Sequence, residues 1–232
     1  MKKNILIFTP HPDDHISCAG TLFKLIAKGY SLHEVLFTNG ETGGQIGKVN
    51  VDKDELKKIR EGEFEVASKL LGTEESYKLN LPNDNVNYSI DIFFKLIEII
   101  RKVRPELAII PHSEDYHRDH KQVSQIAYDS LKAADNSFVL NLGQRYRAPV
   151  ILYCRGLNPL NKVDLLVDTT DTYNLVEELV KVYSTQITPR LKQYTEGVPS
   201  LAGYYMRTTY AEEFEIPKHL PMFPNNVISD LI

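Results

Sequence analysis

The chain has 232 residues, of which 42% are hydrophobic and 25% charged, and a formal net charge of −4. This length and composition fit a single globular α/β domain with a sizeable core, and the net charge gives no electrostatic reason to expect binding to nucleic acid or to an anionic membrane surface. No apolar run approaches the ~20 residues that a membrane span requires.

Short apolar segments alternate with amphipathic ones along the chain, which predicts strands alternating with helices. The predicted strands cover residues 4–10, 31–39, 77–81, 107–110, 150–154 and 165–167. The predicted helices cover residues 16–26, 54–71, 89–103, 123–134 and 172–184. This alternation favours a Rossmann-like, three-layer α/β fold with a mostly parallel central sheet and helices on both faces.

Two stretches receive no firm assignment. The glycine-rich segment 39–47 lies at the carboxyl edge of the predicted sheet and is either a flexible connection or a loop that closes over substrate. Residues after Gln186 give mixed signals. No repeat or linker is evident, so residues 1–232 are expected to form one domain, with a core at 1–155 and a C-terminal extension at 156–232.

Polar residues of metal-binding types follow two of the predicted strands. His11, Asp13 and Asp14 come directly after the first strand, and a cluster ending in His117, Arg118, Asp119 and His120 follows the fourth. A nucleotide-binding protein would carry glycines in the first of these turns. Because the carboxyl ends of strands one and four are neighbours in a doubly wound sheet, the sequence predicts one metal site at that edge.

The residue types suit hydrolytic zinc chemistry. Catalytic zinc usually takes three protein ligands and keeps one position for water, and His11, Asp14 and His120 would make such a set. Asp13 is placed to take a proton from the water. His117 lies one turn before His120 and could stabilise or protonate the leaving group, with Asp119 holding its tautomer.

The two motifs together resemble the LmbE-like (PIG-L) family of zinc-dependent N-deacetylases, which act on N-acetylglucosaminyl groups. Thr38-Asn39-Gly40-Glu41 is similar to a loop of that family, and Tyr210-Ala211-Glu212-Glu213-Phe214 is similar to its closing segment. The resemblance covers most of the chain and is densest up to His120. It implies a zinc hydrolase that removes acetyl from an N-acetylated amino sugar.

The resemblance also implies roles for individual residues. It matches His11, Asp14 and His120 to the zinc ligands, Asp13 to the general base and His117, partnered by Asp119, to an acid or oxyanion-side histidine. Arg60 and Asp84 correspond to residues that contact the sugar, and Arg147 resembles a substrate-side arginine of the bacillithiol-pathway members. Tyr194 and Tyr204 are alternative matches to a tyrosine beside the oxyanion.

Three residues near the motifs are harder to interpret. His15 and Arg118 depart from the family pattern and add nitrogen donors near the site, which suggests a different or more anionic substrate. His15 is expected to line the site rather than bind metal, because a fourth protein ligand would close the ion to water. His112 has both a structural and a site interpretation.

Several alternatives remain at this point. A His-Asp-His set also accepts Fe²⁺ or Mn²⁺. The rival functions are a zinc amidase that cleaves another amide of a sugar or thiol conjugate, a non-catalytic Rossmann-like binding module, and, more weakly, a metal phosphoesterase. The expected partner is a small amino-sugar substrate, and family members of this size often form trimers or hexamers.

The sequence predicts a cytoplasmic protein. Its first apolar run breaks at Pro10 and leads into charged residues without a small-residue cleavage site, unlike a secretory signal. Cys18 and Cys154 share no motif, and free thiols in a reducing compartment are expected.

Overall fold

The fold was analysed in a computed structural model that describes residues 3–43, 51–137, 140–218 and 226–231. Part of the glycine-rich segment, residues 44–47, lies outside the described residues. Among the described helices, none combines the length and apolar character needed to cross a membrane. Cys18 and Cys154 are both buried free thiols.

Strands and helices alternate through most of the described chain. The strands are β1 Lys3–Thr9, β2 Tyr30–Thr38, β3 Thr73–Leu81, β4 Leu107–Pro111, β5 Val150–Cys154, β6 Leu165–Asp168 and β7 Ala211–Glu215. The helices are α1 Ala19–Ala27, α2 Lys53–Leu71, α3 Ile90–Val103, α4 Arg118–Ala133, α5 Tyr173–Val182, α6 Pro189–Met206 and α7 Asn226–Leu231. A short 3₁₀ helix, Asp14–Cys18, precedes α1.

The strands form one seven-stranded sheet in the order β3-β2-β1-β4-β5-β7-β6. β1 to β5 pair in parallel, whereas β7 runs antiparallel to both β5 and β6. The predicted three-layer, mostly parallel α/β fold is therefore confirmed. β1 lies between β2 and β4, so the chain segments that leave β1 and β4 emerge side by side at the carboxyl edge.

Each face of the sheet packs against its own hydrophobic core. Along β1, Ile5 and Ile7 face a core that includes residues of α1, α2 and α5. Leu6 and Phe8 face a second core with α3 and α4. Successive side chains of a strand point to opposite faces, and since both faces are covered, the strand is apolar throughout, as parallel strands usually are.

The C-terminal part of the chain contains the elements that the sequence did not reveal. α6 has only two buried residues, Ala202 and Gly203, so its apolar periodicity is weak. β7 carries three glutamates, yet Glu212 is buried because its carboxylate accepts the backbone N–H groups of Gly20 and Thr21, both at 2.8 Å. A strand that buries a carboxylate against a helix N-terminus does not show the usual alternation of polar and apolar residues.

Glu63 of α2 connects that helix to the end of α5. Its carboxylate accepts hydrogen bonds from Ser184 Oγ and Thr185 N, both at 2.8 Å, and from Thr185 Oγ1 at 2.6 Å. We expect Glu63→Ala to reduce the free energy of unfolding by about 2–4 kcal/mol, because buried donors would lose their acceptor. Urea denaturation measures the change.

The control for this substitution is Glu65→Ala on the same helix. Glu65 is exposed and pairs with Lys78 at 3.2 Å, and an exposed ion pair contributes no more than about 1 kcal/mol. Equal destabilisation by the two substitutions would contradict the assigned role of Glu63.

Candidate metal centre

The turn after β1 is closed by its own residues. The His11 backbone N–H donates to Asp14 Oδ2 at 2.7 Å, and Asp14 N donates to the His11 carbonyl at 3.2 Å. The Pro10 carbonyl accepts two hydrogen bonds from Thr38 of β2, from its N–H at 3.0 Å and its hydroxyl at 2.9 Å. These contacts fix the directions of the His11 and Asp14 side chains.

Side chains from the turn and from α4 converge at the carboxyl edge of the sheet, as the sequence predicts. His11 Nδ1 lies 3.0 Å from Asp14 Oδ2 and 3.3 Å from His120 Nε2. His120 Nε2 is also 3.3 Å from Asp14 Oδ1. His117 lies beside them, with a ring nitrogen within 4.8 Å of those of His11 and His120.

A carboxylate lies behind each of the two converging histidines. Asp119 Oδ2 is 3.3 Å from His11 Nε2, and Asp115 Oδ2 is 3.4 Å from His120 Nδ1. When both rings are neutral with the proton on the outer nitrogen, as metal binding requires, the lone pairs of His11 Nδ1 and His120 Nε2 face the Asp14 carboxylate. Acceptors that face one another with no donor between them fit a cation, and a histidine backed by a carboxylate is the usual arrangement at metal sites.

The electrostatics of this centre favour positive charge. Burial by itself lowers the pKa of His11, but the Asp14 carboxylate and the hydrogen bonds to Asp119 and Asp14 raise it to about 9. Burial likewise opposes the shift at His120, whose pKa Asp14 and Asp115 nevertheless hold well above its usual value. The pKa of Asp14 lies well below its usual value because both histidines outweigh the effect of burial.

Asp13 is held by Arg60 of α2. The Arg60 guanidinium is 2% exposed and donates to Asp13 Oδ1 at 2.5 Å and to the Gly40 carbonyl at 2.9 Å. In the described part of the chain, no residue donates to the second oxygen of Asp13. Arg60 therefore reaches the site, where its contacts are with Asp13 and the loop backbone.

Asp119 contacts His117 through its backbone N–H rather than through its carboxylate. The Asp119 carboxylate accepts the N–H groups of Asp84 and Val86 at 2.7 and 3.1 Å and contacts His11. His117 caps the start of α4, where its Nδ1 accepts the Asp119 N–H at 3.1 Å. The Asp119 carboxylate therefore supports His11, although one of its oxygens also lies within 4.8 Å of a His117 ring nitrogen.

Asp84 is the carboxylate that faces His117. Its Oδ1 is 3.4 Å from His117 Nε2, its Oδ2 accepts the Thr42 hydroxyl at 2.5 Å, and its side chain is 59% exposed. Because His117 Nδ1 already accepts a backbone proton, the neutral ring carries its hydrogen on Nε2. Burial, followed by the charges of His11 and His120, lowers the pKa of His117, which favours that neutral form.

The turn is also supported by His15 and by two residues that the sequence analysis missed, Tyr183 and Glu34. Tyr183 OH donates to the Pro12 carbonyl at 2.5 Å and lies 2.8 Å from His15 Nε2. His15 Nδ1 lies 3.0 Å from Glu34 Oε1, which also accepts the Thr9 hydroxyl at 2.8 Å. His15 and Glu34 are completely buried. A charged residue inside the apolar strand β2 was the available signal for this network.

The structure gives the positions of the residues whose roles the sequence analysis left open. Tyr194 lies beside the site, with its hydroxyl donating to the Gly156 carbonyl at 2.5 Å, whereas Tyr204 is 75% exposed on α6. His112 is buried, with Nε2 3.3 Å from Glu215. Arg118 is exposed and donates to Asn87.

Arg147 does not lie at the site, so its predicted substrate contact is wrong for this chain. It precedes β5, which runs Val150–Cys154 parallel to β4. The neighbouring Tyr146 donates to the Pro105 carbonyl, just before β4. Arg147 therefore lies at the amino edge of the sheet, a full strand length from the carboxyl edge.

A cavity of about 570 Å³ borders the centre, and Asp13, Asp14 and His120 are among its lining residues. Its wall continues over the β5–β6 connection and α6, where Leu157 and Tyr194 line it. Arg155 also lines the cavity, but its guanidinium is paired with Glu213 at 2.7 Å.

Comparison with known proteins relates this chain to a family. The family profile described as "PIG-L: GlcNAc-PI de-N-acetylase" matches residues 6–131. A curated relative, diacetylchitobiose deacetylase of Thermococcus kodakarensis, is 24% identical over 214 residues, which is 89% of this chain and 76% of the relative.

Solved structures show the same architecture. N,N'-diacetylchitobiose deacetylase from Pyrococcus horikoshii, solved with its inhibitor MPG, superposes with a TM-score of 0.82 at 25% identity, covering 93% of this chain and 84% of that one. GalB, the 4-carboxy-2-hydroxymuconate hydratase from Pseudomonas putida KT2440, gives a TM-score of 0.84 at 19% identity, covering 97% and 99%. At that identity the second likeness concerns the fold alone.

Gly156 offers a test of the carboxylate behind His120. A Cβ at Gly156 would overlap Asp115 Oδ2 and lie 3.3 Å from His120 Nδ1. We expect Gly156→Ala to displace Asp115 and to weaken metal binding about 10- to 100-fold, as measured by competition with a chromogenic chelator. The control is Gly197→Ala on α6, where a Cβ meets no atom within 4 Å. Equal affinities in the two variants would refute the supporting role of Asp115.

Proposed function

The chain belongs to the PIG-L family, and from that membership and the geometry of its site we propose that it is a zinc-dependent hydrolase that removes acetyl from an N-acetylated amino sugar. The observation that carries the proposal is the convergence of His11, Asp14 and His120, with Asp13 beside them. The deacetylase names of the relatives support the same reaction class.

The metal would be held by His11 Nδ1, His120 Nε2 and the Asp14 carboxylate. When bound, a divalent ion of this kind polarises a carbonyl oxygen and lowers the pKa of water. The cavity beside these ligands leaves room for water and substrate. We propose zinc because two imidazoles and one carboxylate are a common catalytic zinc set, although the same donors accept other divalent ions.

Asp13 acts as the general base in this proposal. Arg60 engages one of its oxygens at 2.5 Å and leaves the other for the water that attacks the amide carbon. Asp13 takes the proton of that water and later returns it to the departing nitrogen. Water thus adds across the amide, the C–N bond breaks, and acetate and the free amine are released.

His117 serves as a hydrogen-bond donor to the amide oxygen. The backbone contact at Nδ1 holds the hydrogen of the neutral ring on Nε2, which lies 3.4 Å from Asp84 Oδ1, and the ring centroid is 4.6 Å from that of His11. A donor already in place stabilises the negative charge that develops on that oxygen. Asp84, which is partly exposed next to His117, is placed to bind sugar hydroxyls.

Metal removal and loss of the base test the proposal. Dialysis against a chelator should abolish release of acetate from N,N'-diacetylchitobiose, and added Zn²⁺ should restore it. Asp13→Asn should reduce kcat about 10²- to 10⁴-fold while bound metal stays unchanged, since Asp13 is not among the proposed ligands. Turnover by metal-free protein, or an unaltered kcat in Asp13→Asn, would refute the mechanism.

A second test separates two roles for Arg60. If it holds Asp13, Arg60→Met should lower kcat on the order of 10²-fold with KM nearly unchanged, because a displaced base affects the chemical step. If it binds the sugar, KM should rise instead. Steady-state kinetics over a range of diacetylchitobiose concentrations distinguish the two, and a change confined to KM would contradict the positioning role.

A further inference from the structure

The cavity beside the metal centre is far larger than an acetyl group requires. Its volume of about 570 Å³ falls in the range of sites for whole small molecules. The apolar part of its wall comes from the ends of β1, β4 and β5, from the 3₁₀ helix and from α6: Ile7, Ile16, Cys18, Ile109, Cys154 and Leu191. Several of these side chains belong to the core on the α1 side of the sheet.

A second group of polar residues lies outside this cavity. Arg60, Asp84 and His117 are absent from the cavity lining, although Asp13, Asp14 and His120 belong to it. Asp84 is instead surrounded by polar neighbours: Thr42 and Asn83 each donate a hydrogen bond to its carboxylate, and Asn83 also donates to Thr42. The metal centre therefore lies between the polar wall around Asp84 and a cavity whose exposed surface is mainly apolar, although Asn158, Gln186 and Arg190 also line it.

An amide bound at this centre has two sides of different polarity. The sugar carries hydroxyl groups that need hydrogen-bond partners, and these are available at the polar wall around Asp84 and His117. The acyl group is apolar, and on the other side the cavity offers the apolar side chains of Ile16 and Leu191. With the carbonyl at the ligands and the sugar at the polar wall, the acyl chain points into the cavity.

We infer that the preferred substrates are amino sugars with N-acyl chains longer than acetyl, from butanoyl to octanoyl. This inference rests on the proposed function and names the acyl group that the same site would accept. The reaction is balanced as for acetyl: water adds across the amide, the C–N bond breaks, the fatty acid leaves as carboxylate, and the amine takes the proton. No redox partner is required.

Chain length gives the test a quantitative form. Each methylene that leaves water on binding strengthens binding by up to about fourfold. With N-acetyl-, N-butanoyl-, N-hexanoyl- and N-octanoylglucosamine, we expect kcat/KM to rise about two- to fourfold for each added methylene. Fluorescent labelling of the released glucosamine measures all four substrates in the same way, because the amine product is common to them.

A pair of tryptophan substitutions on α6 tests the location. Leu191 lines the cavity, so Leu191→Trp should reduce the ratio of octanoyl to acetyl kcat/KM at least tenfold. Leu201 is 51% exposed on the same helix and is not part of the lining, so Leu201→Trp should leave that ratio as in the parent. Calorimetry with the products provides a reading without turnover: octanoate should bind more tightly than acetate, and Leu191→Trp should remove the difference.

The outcomes separate this inference from the proposed function. Turnover of the acetyl substrate with kcat/KM falling along the series would overturn the acyl assignment and leave deacetylation standing. If kcat/KM rose with the octyl glycoside of N-acetylglucosamine but not with longer acyl groups, the cavity would bind an apolar aglycone. That result would also overturn the acyl assignment. No turnover of any substrate would overturn the proposed function and the inference together.

Discussion

Acceptor atoms of His11, Asp14 and His120 face one another at the carboxyl ends of β1 and β4, and this electrostatic constraint organises the surrounding structure. Burying such a set without positive charge is unfavourable. Asp119 and Asp115 strengthen this requirement because each places a further carboxylate close to one of the two histidines, at 3.3 and 3.4 Å. The centre is therefore a candidate site for a cation, and each neighbouring carboxylate has a definite partner.

Rigid support makes the centre usable for chemistry. The Pro12 carbonyl is held by Tyr183 from below, and Asp13 is held by Arg60 from the side. Groups fixed in this way need little rearrangement during a reaction. The same architecture occurs in a deacetylase and in a hydratase, so the fold alone does not specify the reaction. The residues at the strand ends differ from one reaction to another on such a fold.

The sequence predicted elements well where one chemical rule dominates. β1, with Ile5 to Phe8 buried on both faces, is a continuous apolar run. The prediction from sequence failed where a charged group has a buried partner. It missed β7, for example, because Glu212 of that strand caps α1. The sequence analysis paired Asp119 with His117, which is close in the chain, whereas the Asp119 carboxylate contacts His11, 108 residues away. Such pairings depend on packing that local spacing does not encode.

The sequence by itself determined the alternation of strands and helices, because hydrophobic periodicity is a local property of the chain. It also determined that His11, Asp14 and His120 follow the ends of two strands, which parallel-strand topology generally brings together. Only the tertiary structure decided which carboxylate backs which histidine, and that Arg147 lies at the far edge of the sheet. Side-chain contacts between distant segments arise from the packing of helices on the sheet. They are therefore set by three-dimensional geometry rather than by order along the chain.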